Sequence, residues 1–383
     1  LSTTFHLRDP ELQGQLRNNL QEKGSFVKGP ILEVTPAFKA GASIGELIKE
    51  GVLSKEFYQL KAGSLPVDRQ LYQHQERAIR KLTAGRRNIV VSTGTGSGKT
   101  ETFLIPILDH LFKEKEAGLL NPGVRALLLY PMNALANDQL KRLRQLLAGY
   151  PQITFGRYTG ETEKFYLRAL EKHRKMLQQE PLPNELISRE QMWATPPQIL
   201  LTNYAMLEYL LLRPEDTVFF DGEQAKHWRY IVIDEAHTYS GAKGIEIAIL
   251  LRRLKDRVVG SQRGRLQCVG TSATLGGGPG SYPMIVRFAQ QLFGEDFEWV
   301  EGDEKRQDVI ESVRIPLVSS HVSWGKAEPW LYPEWETIIN QGIPLPDLLL
   351  EMQSCGQRAG IPAVVLAKAM ETGLAEGWQA FLY

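Results

Sequence analysis

A glycine-rich loop at residues 92–101, with the sequence STGTGSGKTE, constrains the fold of this chain more than any other stretch. It follows an apolar run that is typical of a buried parallel strand, and it precedes a segment whose apolar residues recur at helical spacing. In such a strand–loop–helix unit, glycines let backbone N–H groups approach phosphate oxygens, and the helix N-terminus adds its positive end. The pattern places Lys99 at the β- and γ-phosphates and the Thr100 hydroxyl on Mg²⁺.

The rest of this loop is also assigned to the nucleotide, through Thr95, Gly96, Ser97, Gly98 and Glu101. The strict phosphate-loop pattern has a glycine five residues before Gly98, where this chain has Thr93. A glycine-rich loop without a ligand is therefore the alternative interpretation. The strand before the loop and the helix after it favour the phosphate site.

Composition excludes several classes of protein. The chain has 383 residues, 43% hydrophobic and 23% charged, which is ordinary for a soluble globular protein of two or three domains. We find no apolar stretch long enough to span a membrane and no secretory signal. Cys268 and Cys355 cannot form a disulfide framework, so a reducing cytoplasmic location fits best. The net charge of +1 argues against binding nucleic acid through the whole surface.

The pattern of apolar residues divides the chain into three segments. Residues 1–68 form an N-terminal extension, with short helices predicted at 12–20, 44–50 and 54–60. Residues 69–301 alternate amphipathic helices with strand-like apolar runs, at 89–91, 126–130, 153–155, 199–201, 230–233 and 266–269. Residues 302–383 begin as an acidic linker and continue into helices predicted at 345–355 and 362–374.

Short apolar strands separated by helices predict an α/β fold with a parallel sheet covered on both faces. Such sheets bind ligands at the carboxyl ends of their strands. The sequence YIVIDEAH at 230–237 delivers two acids to one of these ends. Asp234 is suited to hold Mg²⁺, and Glu235 to orient and deprotonate an attacking water. Two acids in a turn are an unspecific signal when taken alone. The two acids are one half of a nucleotide hydrolysis site, and the loop with Lys99 is the other half.

With these elements the chain resembles the superfamily 2 DEAD/DEAH-box helicases, whose ATP-binding half is a RecA-like P-loop domain. The resemblance implies a catalytic role for His237 at the end of the acidic tetrad. It implies that Tyr72 and Gln75 contact the adenine base, although Gln75 taken singly is an ordinary polar helix residue. It also implies that one motif couples hydrolysis to strand movement, through Ser272, Ala273 and Thr274.

Three further loops resemble the nucleic-acid side of this family, through Pro131, Asn133, Gln139, Thr159, Gly160, Thr202, Asn203 and Tyr204. Small polar residues at helix N-termini suit phosphate contacts that position a strand without reading its sequence. Ordinary helix capping is the alternative for the asparagines. Basic residues follow the first loop and are additional candidates, namely Lys141, Arg142 and Arg144.

The resemblance covers about 71–293 and extends to large bacterial DNA helicases. That group includes DNA-repair enzymes and the DISARM phage-defence helicase subunit of the DrmA type. Members of the superfamily have a second RecA-like domain whose arginines complete the ATP site. We therefore expect this chain alone to bind ATP weakly and to hydrolyse it slowly, since an arginine finger is worth about a thousandfold in turnover.

The resemblance implies the motor domain of an ATP-dependent DNA helicase or translocase. ATP and Mg²⁺ are its expected cofactors, and DNA, a second RecA-like domain and other subunits of a defence or repair complex are its expected partners. One alternative is a nucleotide-gated DNA-binding scaffold with little catalysis, which the near-neutral charge favours. Another alternative is an RNA helicase, against which His237 and the Thr202-Asn203-Tyr204 loop argue.

Overall fold

The computed structural model of the chain describes residues 9–21, 36–60, 63, 65–94, 96–273, 279–315, 328, 330–341, 344–361 and 366. The chain divides into two compact units, of which the larger is Phe38–Arg314 and the smaller combines Leu1–Ala37 with Ile315–Tyr383. Three elements of the sequence prediction lie outside the described residues, wholly or for the most part: Thr95, Thr274 and the helix at 362–374.

The described strands are β1 (Ala40–Ser43), β2 (Gln70–Tyr72), β3 (Ile89–Ser92), β4 (Ala126–Tyr130), β5 (Phe155–Arg157), β6 (Glu185–Leu186), β7 (Ile199–Asn203), β8 (Tyr230–Ile233), β9 (Gln267–Ser272) and β10 (Val309–Glu311). Strands β1 and β2 form an antiparallel pair. The other strands of the described residues form one sheet in the order β10-β3-β9-β8-β4-β7-β5-β6, in which every pairing is parallel. The predicted α/β fold with a parallel sheet is confirmed.

The described helices are α1 (Pro10–Gln21), α2 (Ile44–Lys49), α3 (Phe57–Leu60), α4 (Gln73–Thr83), α5 (Lys99–Glu116), α6 (Asn133–Leu147), α7 (Tyr166–Leu177), α8 (Arg189–Ala194), α9 (Tyr204–Leu212), α10 (Gly241–Val259), α11 (Tyr282–Phe293), α12 (Leu331–Asn340) and α13 (Leu345–Arg358). Among the described residues, none of these helices combines the length and the apolar character that crossing a membrane requires.

Successive residues of the central strands enter different hydrophobic clusters, because side chains of a strand alternate between the two faces of a sheet. Val91 and Leu128 belong to the cluster that contains residues of α4, α5 and α6. Their neighbours Val90 and Leu129 belong to the cluster that contains residues of α9, α10 and α11. Both faces of the sheet are therefore covered, which explains why these strands are apolar throughout.

The larger unit extends beyond the predicted limits of 69–301 at both ends. At its start, Ile44, Leu47 and Phe57 are buried in the same cluster as the sheet, so the described part of 38–68 contributes to this core. At its end, β10 pairs with β3 after the predicted boundary. Strand β10 has three residues, of which the last is the charged Glu311, and so short a run carries no recognisable period.

Two predicted elements begin later in the structure than expected, by two and three residues. The strand expected at 153–155 begins at Phe155, because the Thr154 N–H bonds the Gln198 side chain, at 2.6 Å, instead of a strand. The helix expected at 54–60 is restricted to α3. Ser54 instead donates its N–H to Asp109 Oδ1, at 2.7 Å, and this contact cannot be recognised from local sequence.

The smaller unit contains α1, α12 and α13. Its described core includes Leu331, Trp335 and Met352, and the Trp335 indole N–H donates to the Met352 carbonyl at 3.1 Å. The predicted helices at 12–20 and 345–355 are confirmed, each with slightly wider bounds.

Arg87, just before β3, forms a bidentate pair with the fully buried Asp308, just before β10, at 3.0 and 2.7 Å. We expect Arg87→Met to lower the free energy of unfolding by about 1–3 kcal/mol, because the buried carboxylate loses its charged partner. Urea titration followed by circular dichroism measures this change.

Arg306→Met is the matched control. The Arg306 side chain is exposed and contacts Glu298 at 2.7 Å, and Arg87 contacts the same Glu298 at 2.6 Å. We expect this exposed pair to contribute no measurable stability. Equal destabilisation by the two variants would contradict the importance of Asp308.

Candidate functional site

The glycine-rich loop between β3 and α5 has the tight backbone that the sequence predicts. Gly96 and Gly98 have positive φ angles, 76° and 72°, and a Cβ on Gly98 would lie 2.3 Å from the Gln75 amide nitrogen. The Thr93 and Ser97 hydroxyls lie 2.6 Å apart, and both residues are buried. Thr93, at the position of the expected glycine, therefore closes the base of the loop with its hydroxyl.

Lys99 and the acidic tetrad meet, as the sequence predicts. Lys99 Nζ lies 3.1 Å from Glu235 Oε1, and both side chains are largely shielded from solvent. Strand β9 lies between β3 and β8, so the carboxyl ends of these three strands are at the same edge of the sheet. The two halves of the predicted site are therefore adjacent in the fold.

Asp234 and Glu235 are held by Thr271, which the sequence analysis missed. The Thr271 hydroxyl donates to Asp234 Oδ1 and accepts the Glu235 backbone N–H at 3.2 Å. Burial raises the pKa of Asp234, and the Thr271 hydrogen bond opposes that shift. Glu235 has a left-handed backbone, with φ of 50°, which is uncommon for a residue other than glycine. Thr271 precedes Ser272 directly, and that position was its one signal in the sequence.

The predicted coupling motif contacts both the tetrad and the phosphate loop. The Ser272 hydroxyl lies 3.1 Å from His237 Nδ1, which is 3.3 Å from Glu235 Oε2. The Ser272 carbonyl accepts the Thr93 N–H at 3.0 Å. Ala273 follows in a bend and is partly buried. Ser272 is thus a direct link between the end of β8 and the loop after β3.

Gln75 supports the phosphate loop. Its amide oxygen accepts the Tyr72 N–H at 2.9 Å, and its amide nitrogen donates to the Gly98 carbonyl at 3.0 Å. Gln75 is fully buried in this arrangement, so contact with a base requires the residues that cover it to move. The Tyr72 ring is partly exposed and stacks on His74. The adenine contact of both residues stays a prediction.

Thr100 and Glu101, at the start of α5, contact α6. The Thr100 hydroxyl accepts a hydrogen bond from the Gln139 amide at 3.2 Å. Glu101 is buried and pairs with Arg142 and, at 3.5 Å, with Arg69. Glu101 is therefore engaged by arginines in this arrangement, and Gln139 contacts the predicted metal ligand. The contact of Gln139 with nucleic acid stays a prediction.

Two asparagines join the predicted nucleic-acid loops. Asn203 donates to Asn133 Oδ1 at 2.8 Å, and Asn133 donates to Glu161 Oε1 at 3.0 Å. Asn203 also caps α9 by accepting the Met206 N–H, as the capping alternative proposed. Asn133 is the first residue of α6 and does not act as its cap.

The exposure of the remaining candidates divides them into two groups. Thr159 and Thr202 are fully buried, and the Thr202 hydroxyl donates to the Tyr158 carbonyl at 2.6 Å. Their side chains hold the loops together in this arrangement. Candidates that reach the surface, in whole or in part, are Pro131, Gly160 and Tyr204, the last with Lys243 Nζ 4.6 Å from its ring centre.

The basic residues after the first loop are mostly engaged inside the domain. Arg142 pairs with Glu101, and Arg144 pairs with the buried Glu185. Lys141 has an exposed side chain and lies 3.4 Å from Asp138. Two of the three candidates of this run therefore form ion pairs within the domain, and their contact with nucleic acid stays a prediction.

Comparison with known proteins gives consistent matches. The model of the DEAD/DEAH box helicase family matches residues 72–279. The Druantia protein DruE of Escherichia coli (strain UMEA 4076-1) is 33% identical over 77% of this chain and 20% of its own length. ATP-dependent helicase hrq1 of Schizosaccharomyces pombe (strain 972 / ATCC 24843) is 27% identical over 69% of this chain and 21% of its own length. The chain spans about a fifth of the length of these relatives.

Solved structures share the fold. The crystal structure of the DUF1998 helicase MrfA bound to DNA and AMPPNP has a TM-score of 0.50 and 20% identity, covering 91% of this chain and 45% of that chain. The DEAD-box helicase Mss116 bound to ssRNA and UDP-BeF has a TM-score of 0.50 and 19% identity, covering 74% of this chain and 48% of that chain. The predicted RecA-like fold is confirmed.

The contact between Gln75 and Gly98 gives a prediction for nucleotide binding. We expect Gln75→Glu to weaken the binding of ATP and of GTP by about five- to tenfold, because a hydrogen bond to the loop is worth about 1 kcal/mol. The acceptor for the Tyr72 N–H is retained in this variant. Titration with fluorescent nucleotide analogues measures both affinities.

The control is Gln73→Glu, which makes the same change at a partly exposed position of α4. A loss confined to ATP would contradict the role of Gln75 in supporting the loop.

Proposed function

Because the chain belongs to the DEAD/DEAH box helicase family, we propose that it is the ATP-binding motor domain of a DNA helicase or translocase. The observation that carries this proposal is the contact of 3.1 Å between Lys99 Nζ and Glu235 Oε1. It joins a phosphate-binding loop to a residue suited to activate water, and nucleotide hydrolysis needs both.

The residues present fit a magnesium–ATP complex. Thr100 and Asp234 supply a hydroxyl and a carboxylate oxygen, and the described residues contain no cluster of three His, Cys, Asp or Glu side chains that could hold a metal alone. Mg²⁺ is commonly held in this way, by one or two protein oxygens together with phosphate and water. When bound, it would neutralise charge on the phosphates.

The side chains of this site divide the work of hydrolysis. Lys99 compensates the charge of the β- and γ-phosphates, while the backbone of the loop after β3 holds their oxygens. Glu235 orients the attacking water and accepts its proton through Oε2. This oxygen makes no hydrogen bond with the described residues and lies 3.3 Å from His237 Nδ1. Ser272 then links a movement of His237 to the loop after β3. Its hydroxyl contacts His237, and its carbonyl accepts the Thr93 N–H.

DNA is the proposed substrate. The equal TM-scores of a DNA-bound and an RNA-bound neighbour do not distinguish the two nucleic acids. His237 at the end of the tetrad and the Thr202-Asn203-Tyr204 loop favour DNA by resemblance. A second RecA-like domain supplying the completing arginines, partner subunits, and a place in phage defence or DNA repair are further parts of the proposal.

The second candidate is a nucleotide-gated scaffold with little catalysis. The net charge of +1 and the internal ion pairs of Arg142 and Arg144 favour it, because they reduce the positive surface for DNA. The two candidates differ in whether DNA accelerates ATP turnover through Glu235.

We expect single-stranded DNA to stimulate ATP turnover by the full-length protein more than RNA of matched sequence does. Glu235→Gln should lower the stimulated rate by about 100-fold or more, because general-base catalysis is typically worth that factor. Release of inorganic phosphate measures the rate, and binding of a fluorescent ATP analogue verifies that the nucleotide site remains intact.

The exposed Glu208 on α9 offers a matched control, and Glu208→Gln should leave turnover unchanged. Stimulation that survives Glu235→Gln would contradict the motor proposal, and a clear preference for RNA would contradict the choice of DNA.

A further inference from the structure

Helix α6 contacts the start of α5 with two side chains. The Gln139 amide donates to Thr100 Oγ1 at 3.2 Å, and Arg142 binds Glu101 Oε1. Gln139 and Arg142 are three residues apart and therefore lie on one face of the helix. This face of α6 thus touches the residue proposed to ligate Mg²⁺ and the residue that follows it.

The first turns of the same helix contact the proposed strand-binding loops. Asn133 accepts a hydrogen bond from Asn203 at 2.8 Å and donates to Glu161 at 3.0 Å. Asn137 accepts a hydrogen bond from Arg157, at the end of β5. The N-terminal turns of α6 are thereby attached to the loops that follow β5 and β7.

Both sets of contacts belong to one rigid element. Ala136, Leu143 and Leu147 of α6 are buried in the core cluster. Because the helix is packed along its length, a displacement of one turn would displace the whole helix. Gln139 and Asn133 are six residues apart, which corresponds to about 9 Å along a helix. A change at Gln139 therefore has to pass along less than two turns of a well-packed helix to reach Asn133.

The Thr100 hydroxyl has one proton to donate and two lone pairs. One lone pair now accepts the Gln139 N–H. With a cation bound to this oxygen, the Gln139 N–H donor would be repelled and the hydroxyl would need an acceptor for its own proton. Rotation of the Gln139 amide, so that its oxygen faces Thr100, would supply that acceptor and reverse the hydrogen bond.

We propose that Gln139 is a positioning residue that reports occupancy of the metal–nucleotide site to the strand-binding loops through α6. This inference rests on the proposed function and deepens it by naming a route between the two ligands. The route lies wholly within one RecA-like domain. By linkage, DNA must affect nucleotide affinity by the same factor as nucleotide affects DNA affinity.

The test is the linkage between two ligands in this 383-residue chain. Anisotropy of a labelled single-stranded DNA gives its affinity with and without magnesium and AMPPNP. We expect at least about a fivefold change for the unaltered chain, the lower end of typical allosteric coupling. Gln139→Met should reduce this factor to between about one and two. The affinity for each ligand alone should change by about fivefold at most, since one neutral hydrogen bond is lost.

Gln145→Met is the matched control, because it makes the same substitution at an exposed position of the same helix. It should keep the coupling factor of the unaltered chain. Gln139→Glu provides only acceptors for the Thr100 hydroxyl, so it should shift DNA affinity without nucleotide toward the nucleotide-bound value. A side chain that merely braces α5 against α6 would not produce that shift.

Unchanged coupling in Gln139→Met would overturn the inference, and so would a coupling factor of one in an unaltered chain that binds both ligands. Failure to bind nucleotide or DNA at all is a different result, because it overturns the proposed function itself. Thermal melting verifies that each variant is folded.

Discussion

The position of β9 between β3 and β8 is the constraint on which the rest of the site depends. Because all three strands are parallel, their carboxyl ends form one edge, and β9 can hold the groups on either side. Thr271 fixes the two acids after β8, while the Ser272 carbonyl fixes Thr93 after β3. The Lys99–Glu235 contact is a consequence of this arrangement, since the sheet brings both residues to the same place.

Several charged residues of this chain form buried ion pairs. Lys255 and Glu295 form a buried ion pair, and Arg144 pairs with Glu185. Burial raises the pKa of Glu185. Basic residues that are grouped in the sequence, such as Arg142 and Arg144, thus pair with different acidic residues in the fold. A run of basic residues is therefore a weak indication of a phosphate contact.

Elements with a strong local signal could be predicted from the sequence. The apolar strands buried on both faces, the loop before Lys99 and the acids after β8 each carry a pattern within about ten residues. Contacts between distant segments could not be predicted from the sequence. The bond from Gln139 to Thr100, the support of Asp234 by Thr271 and the addition of β10 to the sheet all depend on tertiary packing. Thr202 lies in a loop that its local pattern identifies, while the hydrogen bond of its buried side chain to the Tyr158 carbonyl depends on the fold.

The central claim is that the loop before α5 and the acids after β8 bind one magnesium–nucleotide complex. A double-mutant cycle with Lys99→Ala and Asp234→Asn, measured as the affinity for a fluorescent ATP analogue in Mg²⁺, tests it most directly. The account predicts strong non-additivity, in which the double variant binds within about threefold of the weaker single variant, because both residues serve the same ligand. Losses that multiply independently would show that the two residues serve different sites and would contradict the account.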